Sequence, residues 1–125
     1  MTELYYFIDE QGNLQSTSHA HLVEHKRAYL TAQMVLDEVE LHHIEVISAY
    51  RQRGLGQQLL NQLIQDVQEK GAIRLFLEVS VENLPALKLY EKFGFVRIGT
   101  RKGYYKLADG SQVDAYLLEK ILFNP

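Results

Sequence analysis

The chain passes from an apolar strand into an amphipathic helix through Val46-Ile47-Ser48-Ala49-Tyr50-Arg51-Gln52-Arg53-Gly54-Leu55-Gly56. After this stretch, apolar residues recur at the spacing of a helix that is buried along one face. Glycines at a helix start let the backbone approach a ligand closely, and the first N–H groups of a helix have no partner within it. With the helix dipole and the charges of Arg51 and Arg53, these N–H groups predict a phosphate-binding turn.

This stretch is neither a P-loop nor a dinucleotide-binding fingerprint. Gly54 and Gly56 are followed by no Gly-Lys-Ser/Thr motif and by no third glycine in register. The plain alternative is an ordinary strand-to-helix turn with two exposed arginines. Its position between an apolar strand and an amphipathic helix favours the anion site.

On the amino-terminal side of this stretch, the sequence is typical of strands. The predicted strands are Leu4–Asp9, Ala28–Leu36 and Val39–Ile47. The last two are joined by a tight turn at Asp37-Glu38. After the first strand, apolar and polar residues alternate over Leu14–Leu22, which suits a half-buried strand. The overlapping segment Thr17–Tyr29 could instead form one short helix. The sequence leaves these two alternatives open.

On the carboxyl-terminal side, helices and strands alternate. The helix that starts near Leu55 stops at Lys70-Gly71, and Asn83 is suited to cap a second helix that tolerates Pro85 in its first turn. The predicted strands here are Ile73–Val81, Phe95–Thr100 and Val113–Leu122, with a turn at Asp109-Gly110. This order predicts a mixed α/β (α+β) sheet with two main helices packed on it.

Composition bounds the class of protein. A chain of 125 residues, 46% hydrophobic and 23% charged, is expected to form one globular domain, residues 1–125. A net charge of −3 without a basic stripe disfavours nucleic-acid binding. The absence of cysteine excludes disulfides, thiolate zinc sites and cysteine nucleophiles. The start, MTELYYFIDE, resembles neither a signal peptide nor a membrane anchor, so we expect no membrane association and a cytoplasmic location.

Shorter motifs follow the opening stretch in a fixed order: Leu77-Glu78-Val79, Asn83 with Ala86, Leu89-Tyr90-Glu91-Lys92 and Gly94-Phe95. Together with Arg51-x-x-Gly54-x-Gly56 they resemble the GNAT superfamily of acyl-CoA N-acyltransferases. The subgroup that they resemble most is the RimI-type ribosomal-protein alanine N-acetyltransferases. Matching segments of that subgroup are Gln33–Glu38, Tyr104-Tyr105 and Asp114-Ala115. The resemblance implies an acetyl-CoA-binding core over residues 28–122 and an atypical part over residues 1–27.

The resemblance also implies where acetyl-CoA binds. In this family coenzyme A lies between two splayed parallel strands of a mostly antiparallel sheet, here Leu41–Ile47 and Ile73–Val81. The pantetheine arm would pair with the backbone, and the Val46 N–H would donate to the thioester oxygen. The pyrophosphate would lie on the glycine-containing turn. The implied cofactor-binding residues are Ile44, Glu45, Val46, Arg51, Gln52, Arg53, Gly54, Leu55, Gly56 and Asn83.

The implied reaction is direct attack of an amine on the acetyl thioester. Glu78 matches the general base of the RimI-like pattern, acting directly or through water, and Tyr90 matches the general acid that protonates the departing thiolate. Glu45 departs from the small residue usual at its position and is the rival base. A peptide α-amine has a pKa of about 7.7–8.0, against about 10.4 for lysine, so an N-terminal amine asks less of the base.

Each candidate also has a plainer interpretation. Glu78 could be a solvated strand carboxylate, and Tyr90 could be a core aromatic. His42 and His43 are adjacent, so in a regular strand they face opposite sides and form no metal pair, and we expect no metal. The alternative functions are a small-molecule amine acetyltransferase on the same scaffold and a non-catalytic acyl-CoA-binding module.

The first third of the chain is shorter than the family plan. Only 50 residues precede Arg51, whereas the family has a strand, two helices and a strand before the central strands. The helix pair that is reduced or missing here normally walls one side of the acceptor cleft. We therefore expect either an unusually open cleft or a homodimer in which a second chain supplies the wall.

Overall fold

The computed structural model describes residues 1–17 and 23–122. The strands in these ranges are β1 (Thr2–Ile8), β2 (Leu14–Ser16), β3 (Ala28–Val35), β4 (Glu38–Val46), β5 (Arg74–Ser80), β6 (Val96–Lys106) and β7 (Gln112–Ile121). The helices in the same ranges are α1 (Leu55–Glu69) and α2 (Leu84–Lys92), and a 3₁₀ turn spans Ser48–Tyr50. The predicted mixed fold with two main helices is confirmed.

The described strands form one sheet in the order β2-β1-β3-β4-β5-β7-β6. Every neighbouring pair is antiparallel except β4 and β5, which are parallel. These two pair only over Glu38–Glu40 against Arg74–Phe76. Beyond this short ladder β4 and β5 separate, so the sheet opens at its centre, as the resemblance predicted.

The core lies between one face of this sheet and α1. The apolar stripe of α1 is fully buried at Leu59, Leu60, Leu63 and Val67, each at 0% exposure. Fully burying one such side chain contributes about 1.5–3 kcal/mol, so the stripe fixes α1 on the sheet. No helix in residues 1–17 or 23–122 is long and apolar enough to cross a membrane.

The opposite face of the amino-terminal strands lacks such a cover in the described residues. Along β3, every second residue is buried, whereas the intervening residues are half-buried, as at Tyr29 and Thr31, or exposed, as at Val35. Between β1 and β3, the described residues contain β2 but no helix. The reduction of the family's helix pair is therefore visible in this part of the chain.

Two predictions about the amino-terminal half are corrected. The turn is at Leu36-Asp37 and not at Asp37-Glu38, because Val35 pairs with Glu38. The alternative of one helix over all of Thr17–Tyr29 is wrong, since residues 23–27 are not helical and β3 starts at Ala28; residues 18–22 lie outside the described residues. The strand alternative is confirmed only for Leu14–Ser16, and its continuation over residues 18–22 lies outside the described residues.

β6 is longer than predicted. It continues past Thr100 to Lys106, because the strand bulges instead of ending. Its register against β7 shifts between Arg101 and Tyr105. Gly103 in the bulge has a φ of 63° and donates its N–H to the Asp114 carboxylate at 2.8 Å. Glycine adopts this left-handed conformation without steric cost.

Candidate active site

A cavity of about 780 Å³ lies beside the end of β4, beyond the short ladder that joins β4 to β5. It is bounded by the end of β4, the start of α1 and the first half of α2. Its wall includes every predicted cofactor-binding residue except Arg53. The lining residues are Tyr29, His43, Ile44, Glu45, Val46, Tyr50, Arg51, Gln52, Gly54, Leu55, Gly56, Gln57, Asn83, Pro85, Ala86 and Leu89.

The strand β4 turns the backbone N–H and C=O groups of alternate residues toward this cavity. Ile47 donates its N–H to the Arg27 carbonyl of the neighbouring chain segment at 2.9 Å. Because the bonding direction alternates along an antiparallel ladder, the backbone groups of Val46 and Ile44 point away from β3 and into the opening. The Val46 carbonyl accepts a hydrogen bond from Arg51 Nε at 3.2 Å. The Val46 N–H does not point to β3 but the other way, toward the opening.

The start of α1 forms one end of the cavity. Gly54 caps the helix in the left-handed conformation, with a φ of 78°, and no described side chain caps the first turn. The first bond of the helix runs from the Gln58 N–H to the Gly54 carbonyl at 3.1 Å. The N–H groups of Leu55, Gly56 and Gln57 therefore precede the helical ladder at a positively polarised end, which suits an anion.

The arginines of the turn do not all point the same way. Arg53 stands apart from the cavity wall, with its guanidinium 5.5 Å from the Tyr50 ring centre. Arg51 lines the cavity and is tied to Val46, so it braces the turn against β4. Gly56 gives α1 room beside α2, because a Cβ on Gly56 would lie 3.4 Å from Leu89.

Asn83 joins the cavity to α2. Its side-chain oxygen accepts a hydrogen bond from the Ala86 N–H at 3.3 Å, so the predicted helix cap is confirmed. Asn83 also lines the cavity. Because the oxygen is engaged in the cap, the side-chain NH₂ is the group that Asn83 can offer to a ligand.

Glu78 lies on β5 beside the opening, although it is not part of the cavity wall. Leu77 and Val79 on either side are buried in the core, so Glu78 points to the opposite face of the sheet. Its side chain is 19% exposed, and its Oε1 lies 3.4 Å from Arg101 Nε. Its Oε2 is buried and makes no hydrogen bond within the described residues.

Tyr90 lies in the core behind the cavity. It is 5% exposed, and its ring centre is 5.4 Å from that of Phe95. Burial, and next the neighbouring Tyr105, raise the pKa of Tyr90 well above its ordinary value. The phenol therefore stays protonated at neutral pH and can act as a donor.

The tyrosine pair of β6 connects the surroundings of Glu78 and Tyr90. The rings of Tyr104 and Tyr105 meet edge to face, with centres 4.9 Å apart. Burial first, then Tyr104 and Glu78, raise the pKa of Tyr105. Since Tyr105 also acts on Tyr90, the two predicted catalytic residues share one electrostatic neighbourhood.

The rival carboxylate has different surroundings. Glu45 is exposed, lines the cavity and accepts a hydrogen bond from the Tyr29 hydroxyl at 3.0 Å. His43 lies 3.3 Å from the Thr31 hydroxyl, and His42 lies 3.1 Å from Glu40. In the described residues, no group of three or more His, Asp or Glu side chains is arranged to hold a metal ion.

Sequence reasoning missed two residues at the site. Tyr29 faces Glu45 across β3 and β4, and Arg101 reaches Glu78 from β6. A correct strand register would have indicated the Tyr29–Glu45 pair. No local signal marks Arg101, because it comes from a distant strand.

A sheet that splits between two parallel strands, with uncapped helix N–H groups at one end of the opening, is the architecture of an acyl-CoA-dependent transferase. Residues 2–95 match the model of the Acetyltransferase (GNAT) family, and the chain belongs to this family. A curated relative is the [Ribosomal protein bS18]-alanine N-acetyltransferase of Escherichia coli K12. It is 36% identical over 116 residues, which cover 90% of this chain and 75% of the relative.

Solved structures agree with this assignment. The crystal structure of the ribosomal-protein-S18-alanine N-acetyltransferase from Escherichia coli superposes with a TM-score of 0.76 at 34% identity, over 90% of this chain and 69% of that one. Arabidopsis thaliana NAA60, crystallised with a bisubstrate analogue, gives a TM-score of 0.80 at 20% identity, over 97% of this chain and 76% of that one. The second similarity supports the fold alone. The chain is thus a GNAT acetyltransferase.

Proposed function

We propose that this enzyme transfers the acetyl group of acetyl-CoA to the α-amine at the N-terminus of a polypeptide. The observation that carries the proposal is the cavity between the end of β4 and the first turns of α1 and α2, with the uncapped start of α1 at one end. The acceptor class is supported by the relatives, which are named as alanine N-acetyltransferases of a ribosomal protein.

The groups along the cavity fit the parts of acetyl-CoA in order. The pyrophosphate is an anion that the N–H groups of Leu55, Gly56 and Gln57 suit. The pantetheine arm carries amides, which suit the outward backbone groups of Ile44 and Val46 and the side-chain NH₂ of Asn83. A volume of about 780 Å³ lies within the usual range for such sites.

Bound acetyl-CoA supplies an activated acetyl thioester to the amine. The Val46 N–H is proposed to donate a hydrogen bond to the acetyl oxygen, where negative charge develops. Arg51 holds the next peptide unit, between Val46 and Ile47, by its bond to the Val46 carbonyl. The cysteine-free chain offers no thiol for an acetyl-enzyme, in keeping with direct transfer.

Glu78 is the proposed general base. The amine must lose a proton to attack, and for an α-amine at pH 7 this costs only about 1 kcal/mol, against nearly 5 for lysine. A carboxylate acting directly or through water is adequate for the smaller cost. Glu45 is the alternative base, but its carboxylate is exposed and already accepts a hydrogen bond from Tyr29.

Tyr90 is the proposed general acid. Its raised pKa keeps the phenol protonated over the physiological range, so a proton is available for the departing thiolate. Tyr90 is not part of the cavity wall, although the preceding residue on α2, Leu89, lines it.

Acetyl-CoA binding is tested first, by thermal shift. We expect a concentration-dependent rise in Tm, because the ligand binds the folded state. No shift at saturating acetyl-CoA would contradict the proposal at its root. A shift without turnover on any amine would instead favour the non-catalytic acyl-CoA-binding module.

The acceptor is tested by mass spectrometry on three matched substrates. The first is a peptide beginning with alanine, the second is the same peptide with its α-amine formylated and an internal lysine free, and the third is a small diamine. We expect acetylation of the first alone. Faster acetylation of the diamine would assign the small-amine alternative.

A further inference from the structure

We infer that Arg101 is a positioning residue for acetyl transfer, holding one oxygen of the Glu78 carboxylate so that the other is free to take the proton. The inference rests on the proposed function, because it assigns a partner to the proposed base. Arg101 lies on β6, outside the cavity wall and outside the motifs that the sequence singled out.

The two oxygens of Glu78 have unequal surroundings. Oε1 faces Arg101 Nε at 3.4 Å, whereas Oε2 is buried and makes no hydrogen bond of normal geometry in the described ranges. The Tyr104 hydroxyl also lies beside this carboxylate, and Glu78 raises the pKa of Tyr104. A buried carboxylate oxygen without a partner is rare in native structures and calls for an explanation. A proton-accepting role supplies one, because the missing partner is then the acceptor amine or a water that it activates.

Arg101 makes the two oxygens inequivalent. A carboxylate with no fixed partner can exchange its oxygens by rotating about its terminal bond, and an ion pair to one oxygen opposes that rotation. Arg101 also offsets the cost of holding a half-buried negative charge. Within the part of the chain that is described, no other cation lies within ion-pair distance of Glu78.

The strand register places Arg101 on the same face of the sheet as Glu78, because Arg101 pairs with Ala115 and Ala115 pairs with Ser80, two residues from Glu78 on β5. Arg101 pairs with Ala115, and the next paired residues are Tyr105 and Val113. β6 therefore advances four residues over the stretch in which β7 advances two, which is the bulge. Tyr104, which lies in this bulge, places its ring 5.5 Å from the Arg101 guanidinium. The strand thus supplies both the cation and an aromatic ring that orients it.

Two other roles of the Arg101–Glu78 ion pair, a purely structural one and one that blocks Glu78, predict different kinetics for Arg101 variants. The Arg101 side chain is 57% exposed, and exposed ion pairs contribute little to stability. Variants are therefore expected to fold, and their activity reports on the chemistry. If Arg101 blocked Glu78 until an acceptor displaced it, its removal would raise kcat.

The experiment compares Arg101→Met, Arg101→Gln and Arg101→Lys with the wild type, using acetyl-CoA and the alanine-initiated peptide. Arg97→Met is the matched control, because Arg97 is on the same strand and its guanidinium is 4.8 Å from the Tyr116 ring centre. Each arginine variant is also combined with Glu78→Gln. Thermal shift with acetyl-CoA is measured for all of them.

We expect Arg101→Met and Arg101→Gln to lower kcat about tenfold, with the KM for acetyl-CoA and its thermal shift unchanged. Arg101→Lys should recover most of the loss, and the control should match the wild type. In the Glu78→Gln background, loss of Arg101 should have no further effect, since it acts through Glu78.

Unchanged or raised kcat in Arg101→Met, or an equal loss in the Glu78→Gln background, would overturn the inference. These outcomes leave the wild type active on the peptide. Failure of the proposed function has a different signature, because the wild type itself would then acetylate no peptide.

Discussion

The two strands that form the central opening contribute to it in opposite ways. β4 presents its backbone, with the Val46 carbonyl braced by Arg51 and the Val46 N–H left over, while its Glu45 side chain is exposed. β5 presents a side chain, Glu78, set between two buried residues and 19% exposed. Backbone groups suit the pantetheine arm, which is the same in every acetyl-CoA molecule. Proton transfer instead needs a side chain whose burial and charged neighbours are fixed.

Exchanging the carboxylate of each strand for an amide gives the largest test of this contrast. We expect Glu78→Gln to lower kcat about 100-fold or more, because the base is removed while the shape is kept. Glu45→Gln is the matched control on β4 and should change kcat by less than about threefold, since it keeps an acceptor for Tyr29. Steady-state kinetics with acetyl-CoA and the alanine-initiated peptide measure both. If Glu45→Gln is the more damaging change, β4 supplies the base and the contrast fails.

Removing the Tyr90 hydroxyl tests the side of the opening that faces α2. Tyr90→Phe should lower kcat by about 10- to 100-fold, because the proton donor to the thiolate is lost. The KM for acetyl-CoA should stay within about twofold, since the buried ring is retained. Tyr105→Phe is the comparison variant on β6. An activity of Tyr90→Phe equal to that of the wild type would leave Tyr90 a core aromatic.

Local signals were enough to predict the helix boundaries that frame the proposed binding site. The helix start at Gly54, the helix stop at Gly71 and the Asn83 cap each depend on a few neighbouring residues, and the structure has all three. The general base and acid were different, because their assignment came from a family resemblance and not from spacing. The structure shows where Glu78 and Tyr90 lie, and their roles stay predictions.

The contacts around the two carboxylates depend on strand register, which the sequence alone did not determine. The β3–β4 turn is at Leu36-Asp37, where Leu36 adopts a φ of 56° that is unfavourable for leucine. A register shift between Thr31 and Ala32 then aligns Tyr29 with Glu45. A one-residue error in either feature moves a side chain to the other face of the sheet. The β6–β7 register, which places Arg101 on the same face as Glu78, was missed for the same reason.

Changing Gly54 tests the backbone side of the contrast. Gly54→Ala should weaken acetyl-CoA binding about tenfold, because alanine disfavours the left-handed conformation that presents the helix N–H groups. Gly71→Ala is a matched control, since Gly71 has a φ of 87° and, like Gly54, no atom within 4 Å of an added Cβ. Both variants should lose about 1 kcal/mol of stability. Isothermal titration should show weaker binding for Gly54→Ala alone, and equal affinities would contradict the anion role of the turn.

The smallest expected effect concerns Tyr6, which ties the uncovered amino-terminal strands to α1. Its hydroxyl donates to Asp66 at 2.8 Å, and burial first, then Asp66, raise the pKa of Tyr6 above its ordinary value. Tyr6→Phe should lower the free energy of unfolding by about 1 kcal/mol at pH 7 and leave kcat unchanged.

The pH dependence of this loss has a definite sign. A raised folded-state pKa means that the stabilisation is complete below the unfolded value of about 10 and is lost as the pH rises through the folded value. The difference in stability between the wild type and Tyr6→Phe should therefore be constant near neutrality and shrink above about pH 10. Urea denaturation at several pH values measures it. A stability difference that instead grew with pH would show that the folded state does not favour the neutral phenol. A fall in the kcat of Tyr6→Phe at pH 7 would show that Tyr6 also affects catalysis, and not only stability.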